Sequence, residues 1–196
     1  MYIPIRLNGF RMWLSGIVAA VVLITLFMGF MNFWYPLKYL DIITKNAALY
    51  NLEPALVCAV IHAESKFAEN ALSHKGASGL MQVTEKTADW IAGQMDLPDY
   101  NYVRIFEPSL NISIGCKYLS WLLDRYNNTD LAITAYNAGS GNVDKWLKNA
   151  EFSSDGKRLE AIPFKETREY LRRVQINKRI YDFFLFGLKL VPSSRV

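Results

Sequence analysis

Met12 to Leu37 contains no charged residue, Pro54 to Ile61 contains no polar one, and elsewhere apolar side chains recur mostly at three- and four-residue spacing. The first stretch is long enough as a helix to cross a hydrocarbon layer of about 30 Å. It predicts a transmembrane helix over residues 12–35, preceded by a short segment, 1–11, and followed by one domain over 37–196. Within that domain the spacing predicts helices from Leu37 to Leu49, from Pro54 through Glu64, and from a Thr84 cap to about Gly93. Further helices are expected from Ser109 to Tyr126, from a Thr129 or Asp130 cap to Tyr136, from Val143 to Leu147, and onward from Thr167. Gly139 and Gly141 separate two of them, and Leu97 to Pro108 reads as a plain connection. No strand-like alternation of useful length occurs, so the fold class is mainly α.

Arg6 and Arg11 precede the apolar stretch, whereas Lys38 is soon followed by Asp41. The positive-inside bias therefore places residues 1–11 in the cytoplasm and the domain outside. Trp34 and Tyr35 stand where an interfacial aromatic belt belongs. The competing reading is a cleaved signal peptide. Against it, the run exceeds the usual apolar core of about 7–15 residues and ends in Phe30, Met31, Phe33 and Trp34 without a small-residue cleavage site. Both readings export the domain, and with only Pro36 as spacer an anchored form acts close to the membrane.

Pro54 suits a first helical position, because the N–H it lacks is one the helix leaves unpaired there. Glu64 lies three, four and seven residues after Ile61, Val60 and Val57, so its side chain shares their apolar face. Apolar surroundings and the nearby negative end of the helix dipole both disfavour an ionised carboxylate. A carboxylic acid that stays protonated near neutral pH is what general-acid catalysis at a glycosidic oxygen requires. The loop after it offers glycines for close backbone approach (Gly76, Gly79), hydrogen-bonding groups (Ser73, Gln82) and a soft apolar surface (Met81).

These blocks resemble a known family. Glu64-Ser65-Lys66-Phe67, Ala71-Leu72-Ser73 and Gly76-Ala77-Ser78-Gly79-Leu80-Met81-Gln82-Val83 are similar to the signature of soluble-lytic-transglycosylase (SLT) domains, relatives of goose-type lysozyme. Ala135-Tyr136-Asn137-Ala138-Gly139 and the stretch from Ile162-Pro163-Phe164 to Tyr170 follow in the family's order. Ala68-Glu69 departs from the family's frequent Asn-Pro. The resemblance implies a lysozyme-like helical domain with a sugar-binding groove and a small hairpin near the signature loop. It further implies that Glu64 acts first as acid and then as base on peptidoglycan, leaving 1,6-anhydro-N-acetylmuramic acid without the use of water. Tyr170 would orient Glu64, Ser73 and Gln82 would hold polar groups of the glycan, and Met81, Tyr136 and Asn137 would line the cleavage site.

A hydrolytic lysozyme of the same fold needs a second carboxylate or a positioned water. Glu69, Glu85 and Asp89 are near in sequence, and each reads as a solvated surface charge. A non-catalytic glycan-binding or scaffold module of an envelope machine is the third reading, and the retained Glu64 argues against it. The sequence leads to an expectation of glycan strands and the membrane as partners, without nucleic acid: beyond Arg6 and Arg11, 20 basic residues face 18 acidic ones. Eight Lys or Arg between Lys157 and Arg179 give a basic helix face, which is also the ordinary look of a solvated helix. No cofactor or metal is expected, since His62 and His74 have no ligand-spaced companions and His62 is expected to face outward. Cys58 and Cys116 read as two buried thiols, with a bridge between them as the alternative in an exported domain.

Overall fold

The structure, a computed structural model, describes residues 7–97 and 100–187, with side chains from Arg11 onward. Arg6 and most of the expected cytoplasmic segment, the Pro98-Asp99 turn and the end of the domain beyond 187 lie outside the described residues. Contacts divide the chain into two units, Met1–Leu37 and Lys38–Val196.

The first unit is one helix, α1 (Leu7–Trp34), of 28 residues. At 1.5 Å per residue it is about 42 Å long, more than a hydrocarbon layer needs. Within its span Arg11–Trp34 an 18-residue window has a mean hydropathy of 2.4, and the span is long and apolar enough to cross a membrane. The hydroxyls of Ser15 and Thr25 donate to the carbonyls of Met12 and Val21 in the same helix, at 2.8 and 2.5 Å. Polar atoms satisfied inside the helix do not oppose its burial in lipid.

The second unit is helical: α2 (Leu40–Leu49), α3 (Pro54–Ser65), α4 (Glu85–Gln94), α5 (Pro108–Tyr126), α6 (Thr129–Ala138), α7 (Ser140–Leu147) and α8 (Lys165–Asp182), the last continuing into a π-helical turn over Phe183–Gly187. The hairpin suggested by the family resemblance is present. Strands β1 (Ala77–Ser78) and β2 (Val83–Thr84) pair antiparallel, Ala77 opposite Thr84 and Ser78 opposite Val83. The core is built around α3, whose residues Ala55 to Ile61 are all buried, and α8 packs along it through Tyr170, Val174 and Tyr181.

Several boundaries differ from expectation. The helix expected from Leu37 begins at Leu40, because Tyr39 adopts a left-handed conformation, φ 58°, and interrupts it. The cap of α6 is Asn128, whose Oδ1 accepts the Leu131 N–H at 3.0 Å, in place of Thr129 or Asp130. Gly139 alone, φ 84°, separates α6 from α7, and Gly141 lies inside α7. The stretch from Leu97 to Pro108 is more than a connection. It carries a 3-10 helix, Tyr102–Phe106, and the Tyr102 hydroxyl sits 3.0 Å from the Val83 carbonyl and 3.1 Å from Ser78 Oγ, pinning both strands. His62 does not face outward. It is half-buried against the rings of Phe67 and Tyr181, 6.4 and 6.0 Å away, and burial pushes its pKa down.

Candidate active site

Glu64 stands in the last turn of α3, at the point where the chain is forced to leave the helix. Lys66 closes α3 in a left-handed conformation, φ 51°, with its N–H on the His62 carbonyl at 3.1 Å, and Phe67 follows at φ 63°. Two successive side-chain-bearing residues at positive φ cost about 1–3 kcal/mol each and persist only where surrounding structure imposes them. Burial of the Phe67 ring does so here. Ser65 Oγ donates to the Leu80 carbonyl at 2.8 Å, tying the end of α3 to the glycine-rich loop.

The Glu64 carboxyl is pushed up to about 7, chiefly by burial. The Tyr170 hydroxyl and the Arg173 guanidinium favour its ionised form and hold the rise in check, while Glu166 adds to it. Tyr170 is 1% exposed, and among the described residues its hydroxyl has no partner at hydrogen-bonding geometry. The hydroxyl and the Glu64 carboxyl nonetheless influence each other's ionisation, and Arg173 lies over the Tyr170 ring at 5.8 Å. An acid balanced near neutrality, with a hydroxyl and a cation in reach of its conjugate base, can give a proton and take one back at the same pH.

The glycine-rich loop is held from behind by a residue the sequence reading left unassigned. Asn111, fully buried on α5, donates from Nδ2 to the carbonyls of Ser78 and Ile105, both at 2.9 Å, and accepts the Met81 N–H on Oδ1 at 2.7 Å. Gly79, φ 76°, lies so close to the Asn111 amide that a Cβ there would collide with it. The expected close approach at Gly79 is therefore to Asn111. Gly76, also at positive φ, is exposed at the loop tip.

Met81 is 0% exposed, and its sulfur seats against Gly115 of α5, where any Cβ would collide with it. Its side chain therefore packs beneath the site, in the core. Its carbonyl accepts the Tyr136 hydroxyl at 2.9 Å and so couples the loop to α6. Ser73 closes the loop on itself, its Oγ accepting the Ala77 N–H at 2.9 Å. Gln82 Nε2 donates to the carbonyls of Gly79 and Ala71 at 2.9 and 3.0 Å, which leaves Gln82 Oε1 as that side chain's acceptor toward the cleft. Asn137 Oδ1 accepts from the buried Thr167 hydroxyl at 2.8 Å, fixing the amide so that its NH2 remains a donor.

Gln82, Val83, Thr87, Tyr118, Tyr136 and Asn137 share a cleft of about 290 Å³. Burial, and after it the charge of Glu64, raises the Tyr136 pKa well above the ordinary tyrosine range. The structure thus brings Tyr136, Asn137 and Gln82 to one cleft and Tyr170 to Glu64. Ser73 is in the loop's own hydrogen bonding, and Met81 is underneath.

The carboxylates near in sequence are engaged elsewhere or exposed. Glu69 accepts from the Tyr39 hydroxyl at 2.7 Å, Asp89 accepts from the Tyr100 hydroxyl at 3.0 Å, and Glu85 is exposed in the first turn of α4. Glu166, the carboxylate whose charge Glu64 feels, is an exposed residue paired with Lys75 at 3.3 Å. Among the described residues no group of His, Cys, Asp or Glu is arranged to hold a metal ion. Cys58 and Cys116 are free and fully buried.

Residues 41–159 match the Transglycosylase SLT domain, and the chain belongs to that family. It is 35% identical over 154 residues to the soluble lytic murein transglycosylase of Salmonella typhimurium, covering 77% of this chain and 24% of that protein. It is 33% identical over 168 residues to the membrane-bound lytic murein transglycosylase C of Yersinia pestis, 74% of this chain and 46% of the relative. Among solved structures, an inactive glutamate-to-glutamine mutant of the lytic transglycosylase Slt from Pseudomonas aeruginosa superposes with a TM-score of 0.71 at 30% identity, over 80% of this chain and 26% of that one. The chain spans about a quarter of the length of the soluble relatives it matches. The lysozyme-like helical fold inferred from the motif blocks is the fold these relatives share.

Proposed function

We propose that this chain is a membrane-anchored lytic transglycosylase that cleaves the β-1,4 bond between N-acetylmuramic acid and N-acetylglucosamine without water. One observation carries the reading: Glu64 is a single acid with its pKa near 7, and the carboxylates around it lie on the surface or in other contacts. A two-carboxylate glycosidase keeps its second carboxylate across the scissile bond from the first. With one acid, the substrate has to supply the rest. Protonated Glu64 gives its proton to the glycosidic oxygen as the bond to the anomeric carbon breaks. The neighbouring acetamido oxygen shares the positive charge left on that carbon. Glu64, now a carboxylate favoured by Tyr170 and Arg173, takes the proton of the C6 hydroxyl while that oxygen bonds to the anomeric carbon. The ring closes to the 1,6-anhydro sugar and Glu64 is again an acid.

Gln82 Oε1 and the Asn137 NH2 are the polar groups of the cleft for the sugar, with Tyr136 beside them, while Ser73 serves by holding the loop that carries Gln82. Tyr170 is a positioning residue acting through Glu64. The domains are an anchor at 12–35 and the transglycosylase domain from 37 onward. The apolar helix and the membrane-bound relative support this anchoring, and Arg6 and Arg11 support a cytoplasmic N-terminus with the domain in the periplasm or cell wall. Mass spectrometry of sacculi digested by the full chain in detergent tests the reaction. Anhydro ends are expected; reducing ends released by water would replace this reading with hydrolysis.

A further inference from the structure

Two indoles lie one helical turn beyond the cleft. Thr87 and Tyr118 line it from α4 and α5, and three residues further along the same helices stand Trp90 and Trp121. A three-residue step advances a helix by about 4.5 Å and keeps the side chain on nearly the same face. Trp90 and Trp121 therefore extend the two walls that Thr87 and Tyr118 begin.

Their rings form a continuous aromatic corner. Tyr118 and Trp121 lie almost parallel, 13° apart in plane with centroids 6.1 Å apart. Trp90 stands nearly perpendicular to both, 6.2 Å from Tyr118 and 4.8 Å from Trp121. Tyr118 in turn meets Tyr136 of the cleft at 5.3 Å. The Arg125 guanidinium covers the Trp121 ring at 5.4 Å and is itself tied to Asp144, so Trp121 is fixed in place. Trp90 is 42% exposed although its neighbours Ala88, Ile91 and Ala92 already supply the buried face of α4. Folding of α4 has little use for an indole in water, whereas an indole held upright by a second one is a preorganised, low-entropy binding surface.

We infer that Trp90, held by Trp121 and Tyr118, forms a further saccharide subsite, on which the apolar C–H face of a sugar ring distal to the scissile bond stacks. Continuity with the cleft through Tyr118 decides the occupant: a strand lying in the cleft and leaving it along α4 and α5 meets Trp90 next. The inference rests on the glycan reading of the cleft. The subsite contributes only to chains long enough to reach it, so it confers a preference for longer strands.

The test uses the full chain in detergent with Glu64→Gln as the background, so that glycan is not consumed. Chitobiose and chitohexaose are titrated by calorimetry, with and without Trp90→Ala. Trp90→Ala is expected to weaken chitohexaose about tenfold, the scale of one well-packed aromatic contact, and to leave chitobiose unchanged. Trp90→Phe should restore most of the loss, which separates ring stacking from any disturbance of α4. Equal affinities for chitohexaose with and without Trp90, or an equal loss for both sugars, would overturn the subsite while leaving the cleft intact. Failure of the background protein to bind either sugar would overturn the glycan reading and the subsite together.

Discussion

The Tyr170 hydroxyl is buried beside the Glu64 carboxyl, lowers its pKa, and yet closes no hydrogen bond of ordinary geometry. A buried hydroxyl without a partner at ordinary geometry is a cost to the fold. Catalytic hydrogen bonds are often long in the free enzyme and tighten when the charge they serve develops. In the reaction we propose, that charge is the Glu64 carboxylate left after proton donation.

Tyr170→Phe should accordingly leave the melting temperature unchanged or slightly higher, lower kcat by about tenfold, and move the Glu64 pKa further up. The pH–rate profile and a thermal melt on the same sample check this. A large fall in melting temperature with an unaltered profile would make Tyr170 a packing residue only.

Asn111→Leu removes three hydrogen bonds and leaves the Met81 N–H and two carbonyls without partners in the core. The expected loss of stability is about 3 kcal/mol or more by chemical denaturation. Activity of any folded remainder should fall too, because Met81 also holds Tyr136. A loss below about 1 kcal/mol would show that the loop is held by other means.

The corner around Glu64 was legible because it rests on local signals: Pro54 at a helix start, a polar-free run, and a glutamate in phase with it. Tyr136, Asn137 and Tyr170 were legible only through the family blocks, since each reads alone as a helix end or a core tyrosine. Met81 was misplaced because a loop methionine reads as surface, while its socket is created by Gly115, thirty-four residues away on α5. Asn111 carried a signal that was not used: it precedes Ile114 and Gly115 by three and four residues, which puts a polar side chain on a buried face. The left-handed Tyr39 and the hairpin-pinning role of Tyr102 depend on distant contacts and have no local signature.

Glu64 also links stability to pH. Its pKa is about 7 in the folded chain against an ordinary 4.5, so between these values the folded state binds more protons than the unfolded one. Its contribution is fully present below about pH 4.5 and is lost as pH rises through about 7, a fall on the order of 3 kcal/mol. Glu64→Gln should flatten this component, so that the variant gains stability over the parent as pH rises from 5 to about 8. Parallel stability–pH curves for the two proteins would contradict the raised pKa.

Anchoring by α1 predicts that the full chain stays in the membrane pellet after alkaline carbonate extraction, at its full 22.5 kDa. Release into the supernatant at a mass lower by that of the helix would establish a cleaved export signal instead.

In the proposed reaction Glu64 alone supplies the proton and takes it back. That role is tested most directly by incubating purified Glu64→Gln and the parent chain with sacculi and counting anhydro-ended muropeptides by mass spectrometry. Glu64→Gln is expected to keep its fold and its affinity for glycan and to lose activity by about a thousandfold or more, since the amide is close in size and cannot deliver a proton. Anhydro ends released by Glu64→Gln at the parent's rate would contradict that role.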